Sequence, residues 1–356
     1  MKEVDEMLKI QLLHANQGDC IIITYGDRNI PHYIIIDSGI GKTCTRELKL
    51  FLEKVQKNRQ VVDLIILTHY DADHIQGFLS LMKYKLINAN TVKTVWMNYG
   101  NELCKAVSSI SSIQFSISEV SCDTSAKQGR DFYQYLCENK IALNSVILAG
   151  DESEIDGAKI KILSPSPEQS KKMLEQISII DGNILYPAEA LRVRETAGSN
   201  TDFHLSVDEV IMNDFDEDQD VANCSSIAFL FEYKDYRLLL LGDSVPSQII
   251  NALYNLGYNE KNKLKLNICK LSHHGSNHNT SDNLLELIDC NDFIISSDWN
   301  SPRPGKECLS RIVVKVKGEK TFYCNYPHKN VFTESELSQY NIGFKDIDQD
   351  GIILEE

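Results

Sequence analysis

With 356 residues, 42% hydrophobic and 24% charged, the chain has the make-up of a globular protein with ample material for a core. A formal net charge of −15 works against unaided binding to a polyanion. No apolar run approaches the roughly 20 residues that span a bilayer, and the opening MKEVDEMLKIQLLHA lacks a signal-peptide core, so a cytoplasmic protein with no membrane contact is expected.

Residues 8–14 and 20–25 read as two strands joined by ANQGD, and HYIIID then ends at Asp37. Leu48, Phe51, Leu52 and Val55 follow at helical spacing. The run VDLIILT (62–68) is apolar throughout, as a strand buried on both faces should be. Ile75, Phe78, Leu79 and Met82 restart the helical period, so the segment between, HYDADH (69–74), lies in a strand-to-helix turn. Residues 91–98 form a further strand, a Ser-rich stretch follows to about 125, and 131–140 read as helix. Asp156-Gly157 marks a hairpin. From Pro165 to about Asn223 a short helix is followed by no firm pattern. Residues 202–220 hold eight acids and no Lys or Arg, the composition of a solvated, mobile loop or flap.

Order returns with SSIAFLFEY and YRLLLLGDS, an antiparallel pair. A helix opens near Pro246 and stops at Gly257. KLSHHGSNHNTS, a helix over 281–288, the strand FIISS and a last helix at TESELSQY, with a capping box of Thr333 and Glu336, complete the pattern. Two strand-rich halves with helices outside imply a sandwich of sheets between helical layers. One domain over 1–356 is expected, with 165–222 an insertion. The ten cysteines include no C-x-x-C pair, so neither a disulfide framework nor a thiolate zinc site is expected.

Three strand ends carry metal-type donors. In His69-x-Asp71-x-Asp73-His74, positions 69 and 71 share a side on leaving the strand, and Asp73 and His74 project from the first helical turn. Imidazole and carboxylate suit Zn, Mn or Fe. The structural alternative is that Asp71 and Asp73 merely cap the helix. Asp243 ends the apolar run LLLLGDS, with a helix cap before Pro246 as its own alternative. His273-His274-Gly275 ends a third strand. Adjacent residues on a strand face opposite ways, so only one of the pair is expected to ligate easily.

Together, ANQGD, IIIDSG, LTHYDADHIQGF, AGDESEIDGAKIKILSP, NCSSIAFLFEY, LLLLGDS and KLSHHGS resemble the metallo-β-lactamase superfamily, most closely the hydrolase domain of ComEC-type competence proteins and their stand-alone relatives. The resemblance implies an αββα sandwich with its site along one rim of the sheets. It implies two divalent ions, Zn or Mn, held by His69, Asp71, Asp73, His74, Asp243 and His274, with Asp243 between them. His273 would touch the substrate phosphate or leaving group; which of His273 and His274 ligates is open. Asp37 matches an aspartate that orients ligands, and Asn223 and Ser226 lie where a β-lactamase carries another ligand histidine. In the loop NSPRP, Arg303 stands in place of a histidine; it either holds a phosphate or is a solvated surface residue.

Two ions about 3.5–4 Å apart would supply a bridging hydroxide for attack on phosphorus or a carbonyl, with His273, or else His278, giving a proton to the leaving oxygen. The resemblance points to a phosphodiesterase acting on nucleic acid, DNA foremost. Its acidic balance then calls for a protein partner that delivers the strand, or for a basic groove of Lys261, Lys263, Lys265, Arg303 and Lys306. A small phosphoester, nucleotide or thioester is the alternative substrate. A metal-stabilised binding protein without catalysis is the third reading.

Overall fold

Side chains alternate between the two faces along the central strands and are buried on both, and this explains runs such as CIIIT and YIIID. Ile21, Ile23, Ile34, Ile36, Leu64 and Ile66 point one way, into a core shared by two sheets. Ile22, Ile35 and Ile65 point the other way, onto helices. A strand apolar at every position is one whose two faces are both covered. The computed structural model describes residues 6–108, 124–177, 202–348 and 350–354; most of the Ser-rich stretch and the middle of the 165–222 insertion lie outside them.

The first sheet begins as an antiparallel meander of β1 (Glu6–Leu12), β2 (Ile21–Asp27) and β3 (Ile30–Ile36). The chain then crosses through α1 (Lys42–Lys57) to the parallel strand β4 (Val62–Ile66), and through α2 (Ala72–Met82) to β5 (Val92–Trp96). Helices α3 (Asn101–Ser108) and α4 (Thr124–Glu138) precede the edge strand β6 (Ala142–Asn144).

The second sheet starts with the expected hairpin, β7 (Glu152–Ile155) and β8 (Ala158–Ser164), turning at Asp156-Gly157 with positive φ at both. Short helices α5 (Pro167–Ile177), α6 (Val207–Val210) and α7 (Val221–Cys224) lead to the antiparallel pair β9 (Ala228–Tyr233) and β10 (Tyr236–Leu240). Helix α8 (Pro246–Asn255) and the short β11 (Leu264–Lys265) bring the chain to β12 (Ile268–Lys270), parallel to β10. Next come α9 (Asp282–Leu287), β13 (Ile288–Asp289) and the parallel strand β14 (Asp292–Ile295). Helix α10 (Lys306–Lys315) connects to β15 (Lys320–Cys324), α11 (Glu334–Tyr340) to β16 (Ile342–Asp346), and β17 (Ile352–Leu354) returns to pair with β1.

The order is β17-β1-β2-β3-β4-β5-β6 in one sheet and β16-β15-β14-β12-β10-β9-β8-β7 in the other. Helices α1, α2 and α4 bury Leu48, Phe78 and Phe132 against the first sheet. On the second, α8, α9 and α10 bury Ile249, Leu285 and Ile312. Helix, sheet, sheet, helix is the expected layering. Each sheet has an antiparallel half and a parallel half, and the carboxyl ends of parallel strands are where open α/β sheets hold ligands.

The structure departs from the sequence reading in several places. Residues 303–330 contain α10 and β15, and 342–354 contain β16 and β17, none of which was anticipated. The run Ile312-Val313-Val314 has strand character, and the helix buries polar side chains, Lys306, Ser310 and Arg311, which blurs its apolar face. The acidic segment 202–220 is largely exposed, as a solvated loop should be, but it also carries ordered structure that composition did not announce. Ser206 and Glu209 form a capping box on α6, Val207 and Val210 are buried, and Asp220 caps α7.

Candidate metal centre

The ends of β4, β10 and β12 meet at one rim. His69 leaves β4, and Asp73 and His74 sit in the first turn of α2. Asp71 is the residue before that helix but makes no side-chain cap, and α8 is entered through Val245, not capped by Asp243. The capping alternatives therefore fail at both places. Gly18 sets the depth of the α2 turn, because a Cβ there would sit 1.9 Å from the Asp73 carbonyl oxygen; close approach, more than a tight turn, is what requires glycine.

Four imidazoles converge on one carboxylate oxygen. Asp243 Oδ2 lies 3.8 Å from His69 Nε2, 3.3 Å from His74 Nε2, 3.6 Å from His273 Nε2 and 3.7 Å from His274 Nε2. Asp73 Oδ2 is 3.9 Å from His74 Nε2 and 3.6 Å from His274 Nε2, and Asp71 Oδ2 is 3.9 Å from His69 Nε2. Donors in a tetrahedral set at zinc distances are about 3.4 Å apart. The spacings are those of ligands around ions rather than of direct hydrogen bonds.

Each ring is turned by its other nitrogen. His74 Nδ1–H donates to Asp37 Oδ2 at 2.7 Å. Thr68 Oγ1 gives its proton to the same oxygen at 2.7 Å, so it accepts from His69 Nδ1–H at 3.1 Å. His274 Nδ1–H donates to the Ser296 carbonyl at 3.0 Å. Asp37, buried at the end of β3, thus orients two rings. Ser226 Oγ accepts from Asp243 N at 3.0 Å and lies 3.5 Å from His69 Nδ1. The Nε2 atoms of His69, His74 and His274, with Asp243 Oδ1, are buried and have no hydrogen-bond partner. Orphaned buried polar atoms cost about 1–3 kcal/mol each, and this donor set fits divalent cations. Two overlapping groups, His69/His74/Asp243 and Asp73/His74/His274, have cation-holding spacing. Because the shared His74 Nε2 can serve only one ion, taking it into the second group leaves His69 and Asp243 as donors to the first.

The local field agrees. Burial alone would drive the His74 ring neutral, but Asp243, Asp37 and Asp73 around it hold it well above the ordinary histidine value. Burial would raise Asp243, but the imidazoles of His74, His274 and His273 hold it far below the carboxylate range. Carboxylates that gather protons onto neighbouring rings will hold a divalent ion in their stead, with release of those protons.

The expectation that His273 and His274 face opposite ways is corrected. They lie not on a strand but in a 3₁₀ turn over Ser272–Gly275, with φ of 47° and 57°. Two successive left-handed residues swing both rings toward Asp243. Gly275, φ +85°, then packs on Pro304, whose Cβ would be 2.7 Å from a Cβ at 275.

Other expected residues lie further out. Asn223 donates to Asp218 Oδ2 at 2.8 Å and reaches the site only through it. His278 Nδ1–H donates to the Asp216 carbonyl at 2.8 Å. Arg303 is half-buried, and Ser297 Oγ donates to its carbonyl at 2.7 Å. Of the lysines expected in a basic groove, Lys306 is buried against Glu336 at 3.2 Å, and Lys261, Lys263 and Lys265 precede β12 while the site follows it. Sequence reading missed Asp19, whose carboxylate pairs with the buried Lys270 and lies 3.4 Å from His274 Nδ1. Lys270, a cation inside the apolar run NICKLS, was the available signal, since a buried Lys demands a partner.

Comparison with known proteins bears on the first half of this site. Residues 15–89 match the metallo-beta-lactamase superfamily. That stretch carries Asp19, Asp37 and the 69–74 turn. The fold is the metallo-β-lactamase fold. No curated protein matches the chain in sequence. Among solved structures it is similar to a diphosphatase from the PhnP family, at 12% identity and a TM-score of 0.41, covering 99% of this chain and 98% of that one. Yeast PDE1 is similar at 10% identity and a TM-score of 0.43, over 97% and 98%.

Proposed function

We propose that the chain is a metallo-hydrolase that cleaves phosphodiesters with two divalent ions. The observation that carries this reading is the convergence of four imidazole nitrogens on Asp243, three of them buried without a partner. In this reading His69, Asp71 and Asp243 hold one ion, and Asp73, His74, His274 and Asp243 hold the other. Bound ions of this kind bring water into the neutral ionisation range and neutralise charge on a phosphoryl oxygen.

The chain's own residues do the rest. Asp37 and Thr68 lock the imidazoles in the tautomer that leaves Nε2 to the ion. The Lys270–Asp19 pair backs His274, keeping cation and anion balanced in a dry wall. His273 is the imidazole left over once His274 ligates, and its ring faces the same space, where it contacts the phosphate or leaving oxygen.

For substrate, the ComEC-type resemblance points to DNA, whereas the charge distribution favours a small diester or nucleotide. A strand-binding enzyme needs cations along the groove, and the lysines once expected there are buried or placed elsewhere. We therefore put the small diester first, with DNA delivered by a partner second. Cleavage assays with Mn²⁺ or Zn²⁺ on a chromogenic diester, cyclic nucleotides, RNA and single- and double-stranded DNA separate the two. Turnover of the small substrates with weak salt dependence is expected; steeply salt-dependent cleavage of DNA alone would reverse the order. Asp73→Ala with Asp243→Ala should abolish hydrolysis and reduce bound metal while the fold survives, and unchanged turnover in that double variant rejects the ligand set.

A further inference from the structure

One carboxylate of the acidic segment, Asp218, reaches a histidine at the metal centre directly. Asp218 is mostly buried, its side chain 13% exposed. Its Oδ2 accepts from Asn223 Nδ2 at 2.8 Å and from Asn279 Nδ2 at 3.3 Å, and lies 3.3 Å from His273 Nδ1. Asn279, fully buried, offers Oδ1 to the same ring nitrogen at 3.2 Å and donates to the Asp243 carbonyl at 3.2 Å. The outer edge of the His273 ring is therefore held by two acceptors while Nε2 faces Asp243. The segment is itself fixed from both sides: Glu217 accepts from Ser247 N at 2.8 Å in the first turn of α8, and Asp218 N donates to the His278 carbonyl at 3.1 Å. Among the described residues Asp218 belongs to none of the donor groups with metal-ligand spacing.

We propose that Asp218 is the positioning residue of His273, which makes the acidic segment a working part of the active site rather than a surface flap. The inference rests on the phosphodiesterase reading for its kinetic consequence, but not for its geometric one. Without Asp218 the ring keeps only Asn279 and can rotate out of line with the substrate.

The test uses the full chain with Asp218→Ala, Asp218→Asn and His273→Ala. Asp218→Ala should lower kcat on a chromogenic phosphodiester by about 10- to 100-fold, with KM within about twofold of wild type and metal content unchanged. Asp218→Asn, whose amide oxygen still accepts from Nδ1–H, should recover most of the loss. Adding Asp218→Ala to His273→Ala should cost nothing more, because both act through one ring. Independently of activity, ¹⁵N-histidine NMR of the metal-free protein at mildly alkaline pH should show the Nδ1–H tautomer dominant at His273 in wild type and Asp218→Asn, and a smaller share of it in Asp218→Ala, where Asn279 alone accepts. Wild-type kcat with an unchanged ring spectrum in Asp218→Ala overturns the proposal, as does loss of metal in both Asp218 variants. A wild-type protein inert to every phosphoester removes the hydrolase reading instead, and the ring spectrum alone then decides the role of Asp218.

Discussion

At the scale of single residues the centre is built by pairing outward and leaving bare inward. Asp37 is the most consequential of the supporting side chains, because one oxygen serves His74 directly and His69 through the Thr68 hydroxyl. Asp37→Ala should weaken metal binding by about 10- to 100-fold, read by titration against a chelator of known affinity; an unchanged affinity would mean the rings hold their orientation without it. The ligands themselves were legible in sequence because short motifs keep them a few positions apart at strand ends. What was not legible came from backbone conformation or from long range. Nothing in the residue types of His273-His274 announces two left-handed residues. The partners Asp19–Lys270 and Asp218–His273 are separated by hundreds or tens of positions, and only the sheet order brings them together.

At the scale of elements, acids that looked like a solvated run are distributed to helix starts. Asp202 Oδ2 accepts from Lys306 N at 2.8 Å at the start of α10, Glu217 serves α8, and Asp220 serves α7. Carboxylates belong at helix N-termini, where unpaired N–H groups and the macrodipole favour negative charge. Composition alone cannot report this, because two of the helices served, α8 and α10, lie elsewhere in the chain. Glu336 fixes the far side of the segment. It caps α11, accepts from Val207 N at 2.9 Å and pairs with Lys306. Burial would raise its pKa, but these bonds hold it below the ordinary glutamate value. A carboxylate depressed on folding contributes stability above its unfolded pKa and loses it as pH falls through the folded one. Denaturant unfolding of Glu336→Gln should therefore show a lower stability than wild type at neutral pH, the gap closing below about pH 4. A gap constant with pH would assign the loss to packing. The apolar strands, by contrast, were readable almost residue by residue, since being covered on both faces leaves a continuous hydrophobic run.

At the scale of the whole molecule, two sheets share one core and open their parallel halves to the same rim, so three distant loops meet at Asp243. Among the described residues no helix is long and apolar enough to cross a membrane. Orphaned nitrogens and converging carboxylates are a cost that metal binding would remove, so binding should add to folding stability by mass action, about 2.7 kcal/mol at a free-metal level of 100 Kd. Chelation should lower the melting temperature, with zinc or manganese restoring it. The most direct measurement is the anomalous difference map of crystals grown with Mn²⁺ or Zn²⁺. Two peaks are predicted, one among Asp73, His74, His274 and Asp243 and one beside His69, Asp71 and Asp243. A map with no ion touching Asp243 would contradict the metal centre and the hydrolase built on it.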